Sequence, residues 1–478
     1  MTIRTETWTK PGAGRGGLRG RDPGQSRPVK ILHIVPVYFP EGPGGIQLHV
    51  QGLVRSQRAA GHAPLILAGS LATRAAPELL EESVDGQRVL RLYRDDLHHL
   101  HYARGHHPAA SRLVRQVYER ERPDVVHVHQ WIALSDDLVQ QAEELGLPTL
   151  VTLHDFLVSC PRCYRQDHQG QACLRPLSLE VCGPCVPRLG GEPAREIELG
   201  IECFRSALAA ELARARIVWA LTPGAVALFE RLAGVAAGRI EALGLGYRPH
   251  GAPGTLRLST DPAPAQPLRL AQWGRLGWHK GSDVLLEGFR RLCAQPGLAA
   301  VELHLLGPVE PADHAADLAR RAAGLPVHFH GPFRFEDLQR LAPQVACFPT
   351  RCVETHGFVL DEARELGLPM AVGDLGAYGE RAGDDCLKVA PEDPVAWAEA
   401  LARLVRDGDL RRRLAAAAPA WPPSPEQHAE AVERGYRRAL AGPPRPALPS
   451  ADLERLGRLR RELEAAQRAS KPWLFPGP

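Results

Sequence analysis

The chain has 478 residues, more than one hydrophobic core ordinarily serves, and 44% apolar with 24% charged residues is the composition of a water-soluble protein of two domains plus tails. Its net charge of +3 is spread with both signs interspersed, which argues against nucleic acid as a partner, and no apolar run is long enough for a transmembrane helix.

Residues 1–28 are rich in Gly, Arg and Pro and read as a disordered tail. They lack the apolar core of a secretory signal, so a cytoplasmic location is expected. Order begins at Val29 with the apolar run Lys30–Val35, a strand. The loop Glu41–Gly45 leads into a helix over Ile46–Ala60, with Leu48, Leu53 and Val54 on its inner face, and Leu65–Leu67 is the next strand. Strands at Val125–Val128, Thr149–Leu153 and Ile217–Leu221 alternate with helices at Ser135–Leu145 and Pro223–Leu232, the latter with Thr222 as N-cap. This alternation predicts a doubly wound α/β domain over 29–246.

Residues 247–267 are rich in Pro and Gly and read as an interdomain linker. A second α/β alternation follows over 268–440. Strands fall at Leu268–Trp273, Val301–Leu306, Val327–His330 and Met370–Val372, and helices at Asp283–Cys293, Phe335–Leu341, Gly357–Leu366 and Pro394–Arg406. The closing helix spans Gln427–Leu440. After a Pro-rich break, residues 441–478 end in an amphipathic helix over Ala451–Arg468. Its Leu453, Leu456 and Leu463 stripe reads as packing on the body or on another subunit. A peripheral contact with the inner membrane face is the alternative, because Arg455, Arg458, Arg460 and Arg461 flank the stripe. The predicted fold is thus α/β, two Rossmann-like doubly wound domains facing a cleft, with ligands at the C-terminal strand ends.

Three features of the second domain carry chemistry. Lysine is scarce, five residues in all, and one of them lies in Gly274-Arg275-Leu276-Gly277-Trp278-His279-Lys280-Gly281, between a strand and a helix. Arg275 and Lys280 on such a loop suit a diphosphate, a planar fork beside a point charge. The run Glu354-Thr355-His356-Gly357-Phe358-Val359-Leu360-Asp361-Glu362 places two carboxylates around a helix start whose free N–H groups suit a phosphate oxygen. The third is Gly367–Glu380, a helix end, strand and turn.

In this order the three resemble glycosyltransferase family 4, retaining enzymes of the GT-B fold, over roughly 29–440. The resemblance implies that Arg275 and Lys280 bind the donor diphosphate and stabilise the leaving nucleotide, so that no bound Mg²⁺ or other cofactor is required for catalysis. It implies Glu354 at the transferred sugar, Glu362 at the ribose, and the backbone of His356, Gly357 and Phe358 at sugar and phosphate. In the first domain Gly44 and Gly45 match the family's Gly-Gly loop at the donor phosphate, and His154, after Val151–Leu153, matches its donor-sugar histidine; His129 is a weaker candidate. The sequence departs from the family at Thr355, His356, Ala377 and Leu245-Gly246-Tyr247.

The expected partners are a nucleotide-sugar donor and a hydroxyl acceptor, a glycan, lipid-linked or small molecule, and the expected activity is retaining hexosyl transfer in polysaccharide or glycoconjugate synthesis. A GT-B epimerase, a phosphorylase and a catalytically silent scaffold are the other readings. Finally, Cys160, Cys163, Cys173, Cys182 and Cys185 follow His154 closely. Two Cys-x2-Cys knuckles in a segment without period suggest structural zinc, with free thiols, disulfides or an iron–sulfur cluster as alternatives. The insert is expected on the acceptor side of the cleft.

Overall fold

Short apolar runs separated by helices assemble, in a computed structural model, into two parallel sheets. The structure describes residues 27–474 except 43, 97, 253 and 420, so nearly all of the predicted N-terminal tail lies outside the described residues. The first sheet is built from β1 (Lys30–Val35), β2 (Ala63–Ala68), β3 (Glu78–Val84), β4 (Gln87–Tyr93), β5 (Val125–Val128), β6 (Thr149–Leu153), β7 (Ile217–Ala220) and β8 (Glu241–Ala242). Their order is β3-β4-β2-β1-β5-β6-β7-β8, parallel throughout except for the antiparallel β3–β4 hairpin. The second domain contributes β9 (Leu268–Trp273), β10 (Leu276–Gly277), β11 (Val301–Leu306), β12 (Val309–Glu310), β13 (Val327–Gly331), β14 (Val345–Phe348), β15 (Met370–Gly373) and β16 (Cys386–Val389). Its six-stranded sheet runs β13-β11-β9-β14-β15-β16, and β10 pairs with β12 beside it. Strands buried on both faces, such as Val125, Val126 and Val128 at 0% exposure, are what a helix-covered parallel sheet requires.

Several elements differ from their sequence reading. The β3–β4 hairpin and the helices Pro108–Glu121 and Ala194–Arg214 lie in stretches with no assigned element. In the helix Gly45–Ala59 the inner face is Val50, Leu53, Val54 and Gln57, whereas Leu48 is 57% exposed. Five residues at 100° each set Leu48 about 140° from Leu53, off the buried stripe. Thr222 does cap the helix Pro223–Ala233, its hydroxyl accepting from the Ala225 N–H at 3.1 Å. The helices Phe335–Leu341 and Pro394–Arg406 have the predicted ends.

The two domains are joined by more than the linker, which is itself pinned: the Leu258 N–H donates to the Leu366 carbonyl at 2.8 Å. The helix Pro425–Ala441, grouped by sequence with the second domain, returns to the first. Its Val432, Tyr436 and Ala439 complete a core with Ile31, Leu53, Val125, Leu150 and Trp219. The last helix, Ser450–Ser470, packs on Ala194–Arg214 and buries Leu456 and Leu463, the latter against Leu199 and Cys203. Arg455 and Arg460 pair with Glu202 and Asp136. Most of the leucine stripe is therefore used within the molecule, leaving Leu453 exposed. Among the described residues no helix is long and apolar enough to cross a membrane.

Candidate functional site

The C-terminal ends of the central strands of both sheets carry the sequence-predicted residues. Beyond β9 the loop Gly274–Gly281 turns back against the loop that follows β14. Gly281 makes this approach feasible: its φ is +68°, and a Cβ there would run into the Pro349 carbonyl. The Arg351 N–H donates to the His279 carbonyl at 3.1 Å and locks the two loops together. Lys280 is thereby delivered to Glu354, and the two form an ion pair with side chains 25% and 16% exposed. Burial works against both charges, but each outweighs that cost for the other. The Glu354 carboxyl is held below its ordinary pKa, chiefly by Lys280, and the Lys280 ammonium is raised, chiefly by Glu354 with Tyr378. Thr350 and Cys352 also donate to Glu354, both at 3.4 Å. Sequence reasoning gave Lys280 and Glu354 separate ligands; the structure makes them each other's partner.

Arg275 is half exposed and pairs with Glu310 at 3.4 Å. Glu362 accepts from the Trp273 indole N–H at 2.6 Å, and burial raises its pKa. Gly357, at φ +83°, starts the helix Phe358–Glu365, and a Cβ on it would collide with the Tyr378 ring. Arg381 ties down this start by donating to the His356 and Gly357 carbonyls at 3.0 and 3.1 Å, and the His356 and Phe358 rings lie 4.7 Å apart. Gly44 and Gly45 open the helix Gly45–Ala59, and a Cβ at Gly45 would meet nothing within 4 Å, so backbone is open to close approach there.

The two halves touch at this site. The Thr355 hydroxyl donates to the His154 carbonyl at 2.6 Å, and Glu380 accepts from Thr222 at 2.5 Å and from the Gly224 N–H at 2.8 Å. Behind His154 stands a group of histidines that sequence reading did not assemble. Gln57, His33, His129 and His154 form one hydrogen-bonded chain with links of 2.8, 3.1 and 3.0 Å. The Gln57 amide donates to the Tyr436 hydroxyl at 3.1 Å, which leaves its oxygen to accept from His33 Nε2. Each ring must then accept on Nδ1 and donate on Nε2, so His154 ends the chain with Nδ1 as an acceptor. His127 bonds Tyr436 and Thr152 at 2.9 and 2.8 Å. Burial holds all of these rings neutral, His33 down to about 4 and His154 to about 3. His49, His129 and His154 offer nitrogens within 4.8 Å of one another, a spacing open to a metal ion, although the hydrogen-bond chain already uses both nitrogens of His129. The only prior signal for this group was a histidine at several strand ends.

The cysteine insert of the first domain reaches the Lys280 loop of the second. The Tyr164 ring stacks on His279 of the Lys280 loop, centroids 4.6 Å apart and 13° from parallel, and Gly170 lies against Trp278. Beside it an apolar pocket is lined by His99, Tyr102, Trp131, Ile132, Leu157 and Cys163.

Two facing Rossmann-like domains with these loops at the cleft are the architecture of GT-B glycosyltransferases. Among solved structures, the chain is similar to a sucrose-phosphate synthase from Thermosynechococcus elongatus, at 20% identity over 92% of this chain and 100% of that one, TM-score 0.56. It is similar to a UDP-forming α,α-trehalose-phosphate synthase from Burkholderia xenovorans in complex with glucose-6-phosphate, at 15% identity over 86% and 100%, TM-score 0.58. Anabaena HepE in complex with UDP and glucose matches at 15% over 92% and 100%, TM-score 0.53. No curated protein sequence matches the chain. The Glycosyltransferase Family 4 model matches residues 43–249, and the model for glycosyl transferases group 1 matches residues 267–407. The chain carries the domains of both glycosyltransferase families.

Proposed function

We propose that the chain is a retaining glycosyltransferase that moves a hexose-type sugar from a nucleotide-sugar donor to a hydroxyl acceptor. The observation that carries this reading is the Lys280–Glu354 pair at the cleft, opposite a His154 whose Nδ1 is left as an acceptor. A donor diphosphate entering at the loop Gly274–Gly281 competes with Glu354 for Lys280. The carboxylate then turns to sugar hydroxyls while Lys280 and Arg275 stabilise the charge that grows on the leaving nucleotide. Two cations in those roles replace a divalent metal. Glu362 addresses the ribose, and the helix start at Gly357–Phe358 addresses phosphate and sugar. His154 accepts from a sugar hydroxyl, and the acceptor enters by the pocket beside Trp131. Polysaccharide or glycoconjugate synthesis is the setting that suits such a transfer. Similarity to HepE in complex with UDP and glucose, and to a UDP-forming synthase, makes UDP-glucose the first donor to try.

Thermal-shift measurements with UDP-, GDP- and ADP-sugars test binding, since a donor that binds the folded form raises its melting temperature. Turnover of the stabilising donor without added Mg²⁺, followed by NMR of the product anomer, tests the chemistry. Retention is expected, with Lys280→Ala slowed by about 100-fold. An inverted product, or no donor that either stabilises the protein or turns over, would overturn the proposal.

A further inference from the structure

Between His154 and the helix Ala194–Arg214 the insert has little regular structure, a 3-10 turn Leu157–Ser159, a short helix Leu179–Cys182 and a single bridge between Gln166 and Ala172. Cys163 and Arg165, flanking Tyr164, both hold left-handed φ of +66° and +50°, a conformation costing a non-glycine residue about 1 kcal/mol. Something other than a ladder of backbone bonds must hold this segment. Four of its five thiols, those of Cys160, Cys173, Cys182 and Cys185, line one internal cavity; Cys163 lines the separate pocket beside Trp131. Arg165 lines the same cavity and is only 2% exposed. Its guanidinium donates to the carbonyls of Ser159 at 2.6 Å, of Cys173 at 2.9 Å and of Arg175. These partners carry no negative charge, and Arg162 and Arg175, the latter paired with Asp167 at 3.8 Å, stand at the same cavity. A cation buried without an anion is costly, and the groups placed to supply negative charge are the four sulfurs.

We propose that Cys160, Cys173, Cys182 and Cys185 bind one Zn²⁺ as a tetrathiolate, that Arg165 is its buried counter-cation, and that Cys163 is not a ligand. Four thiolates on one Zn²⁺ leave two net negative charges, which the arginines balance. Cys182 and Cys185 form one knuckle at the end of the short helix, while Cys160 and Cys173 come from the two arms joined by the Gln166–Ala172 bridge. Arg165 bonds backbone on both arms. Each thiol gives its proton to solvent as the metal binds. Closing the ring takes side-chain rotation within the cavity, because the groups of three or more donor atoms already within 4.8 Å among the described residues are imidazoles and carboxylates. The metal thereby fixes the strained Cys163–Arg165 turn, and with it the Tyr164 stack on His279.

The full chain, expressed with zinc and purified without chelator, is assayed for metal content and, after exchange, for its Co²⁺ spectrum. About one zinc per chain is expected, with thiolate-to-cobalt charge transfer and the intense visible bands of a tetrahedral site. Cys163→Ser keeps both signals, whereas Cys173→Ser and Cys185→Ser retain less than a tenth of the metal. Should those variants fail to fold, the native chain still decides: a strong chelator must release one zinc and expose four further thiols to a chromogenic disulfide reagent. Iron with sulfide in place of zinc, substoichiometric metal, a six-coordinate cobalt spectrum, or loss of metal in Cys163→Ser would each overturn the proposal.

Discussion

Lys280 and Glu354 reach one another from two loops that are 74 positions apart in the chain. Neither charge is well solvated, so each depends on the other, and removing one leaves a partly buried charge with weak support from Thr350 and Cys352. Lys280→Met and Glu354→Gln should each destabilise the protein by about 2–4 kcal/mol. The double variant should cost less than the sum, with a coupling of about 1–3 kcal/mol, read from urea unfolding of the four proteins. Additivity within a few tenths would mean that the pair contributes no interaction. The motifs made both residues visible as candidates, but not their pairing, because the approach depends on Gly281 meeting the Pro349 carbonyl, a contact between segments far apart in sequence. The histidine chain was hidden for the same reason. His33, His129 and His154 become neighbours only when β1, β5 and β6 align in register, and Tyr436 joins them from the far end of the chain.

At the scale of elements, the start of the helix Phe358–Glu365 is where local backbone and tertiary packing make the same demand. Gly357 has a positive φ, and its missing Cβ leaves room for the Tyr378 ring. Gly357→Ala should therefore lose about 2–4 kcal/mol by denaturant unfolding, from strain and clash together. Tyr378→Leu in that background should recover part of the loss, and no recovery would assign the whole cost to the backbone. Elements with a clean period were legible: Phe335–Leu341 and Pro394–Arg406 are amphipathic helices bounded by turn residues. The helix Ala194–Arg214 was not, because its buried face includes Glu196, Glu211 and Arg214, which break the apolar stripe. Glu211 is buried because it accepts from Trp131 and from the Val139 and Gln140 N–H groups at the start of another helix. The β3–β4 hairpin did carry a signal, Asp85-Gly86, whose positive φ values match a tight turn between strands.

Across the whole molecule, the neutral histidines sit where the returning helix Pro425–Ala441 meets the first sheet. His127 bonds Tyr436 of that helix, Gln57 links Tyr436 to His33, and His428 bonds the Gly244 carbonyl at 2.8 Å. The joint between the domains is thus built partly from imidazoles that burial keeps unprotonated, His33 down to about 4 and His49, His127 and His129 well below 6.5. The sign of the linkage follows. Between the unfolded pKa of 6.5 and the lower folded values the unfolded chain binds more protons than the native one, so stability is full above about pH 6.5 and is lost as the pH falls. Each buried imidazole contributes roughly 1 kcal/mol per pH unit in that window, so several together make the loss steep. Unfolding free energy should consequently drop by several kcal/mol between about pH 6.5 and pH 5, measured by urea titration at each pH. His33→Gln, which keeps a hydrogen-bonding group without the titration, should lessen the slope by about one proton. A flat profile over that interval would mean that the cluster is already protonated in the native protein, and that its hydrogen-bonded chain cannot end in an acceptor at His154.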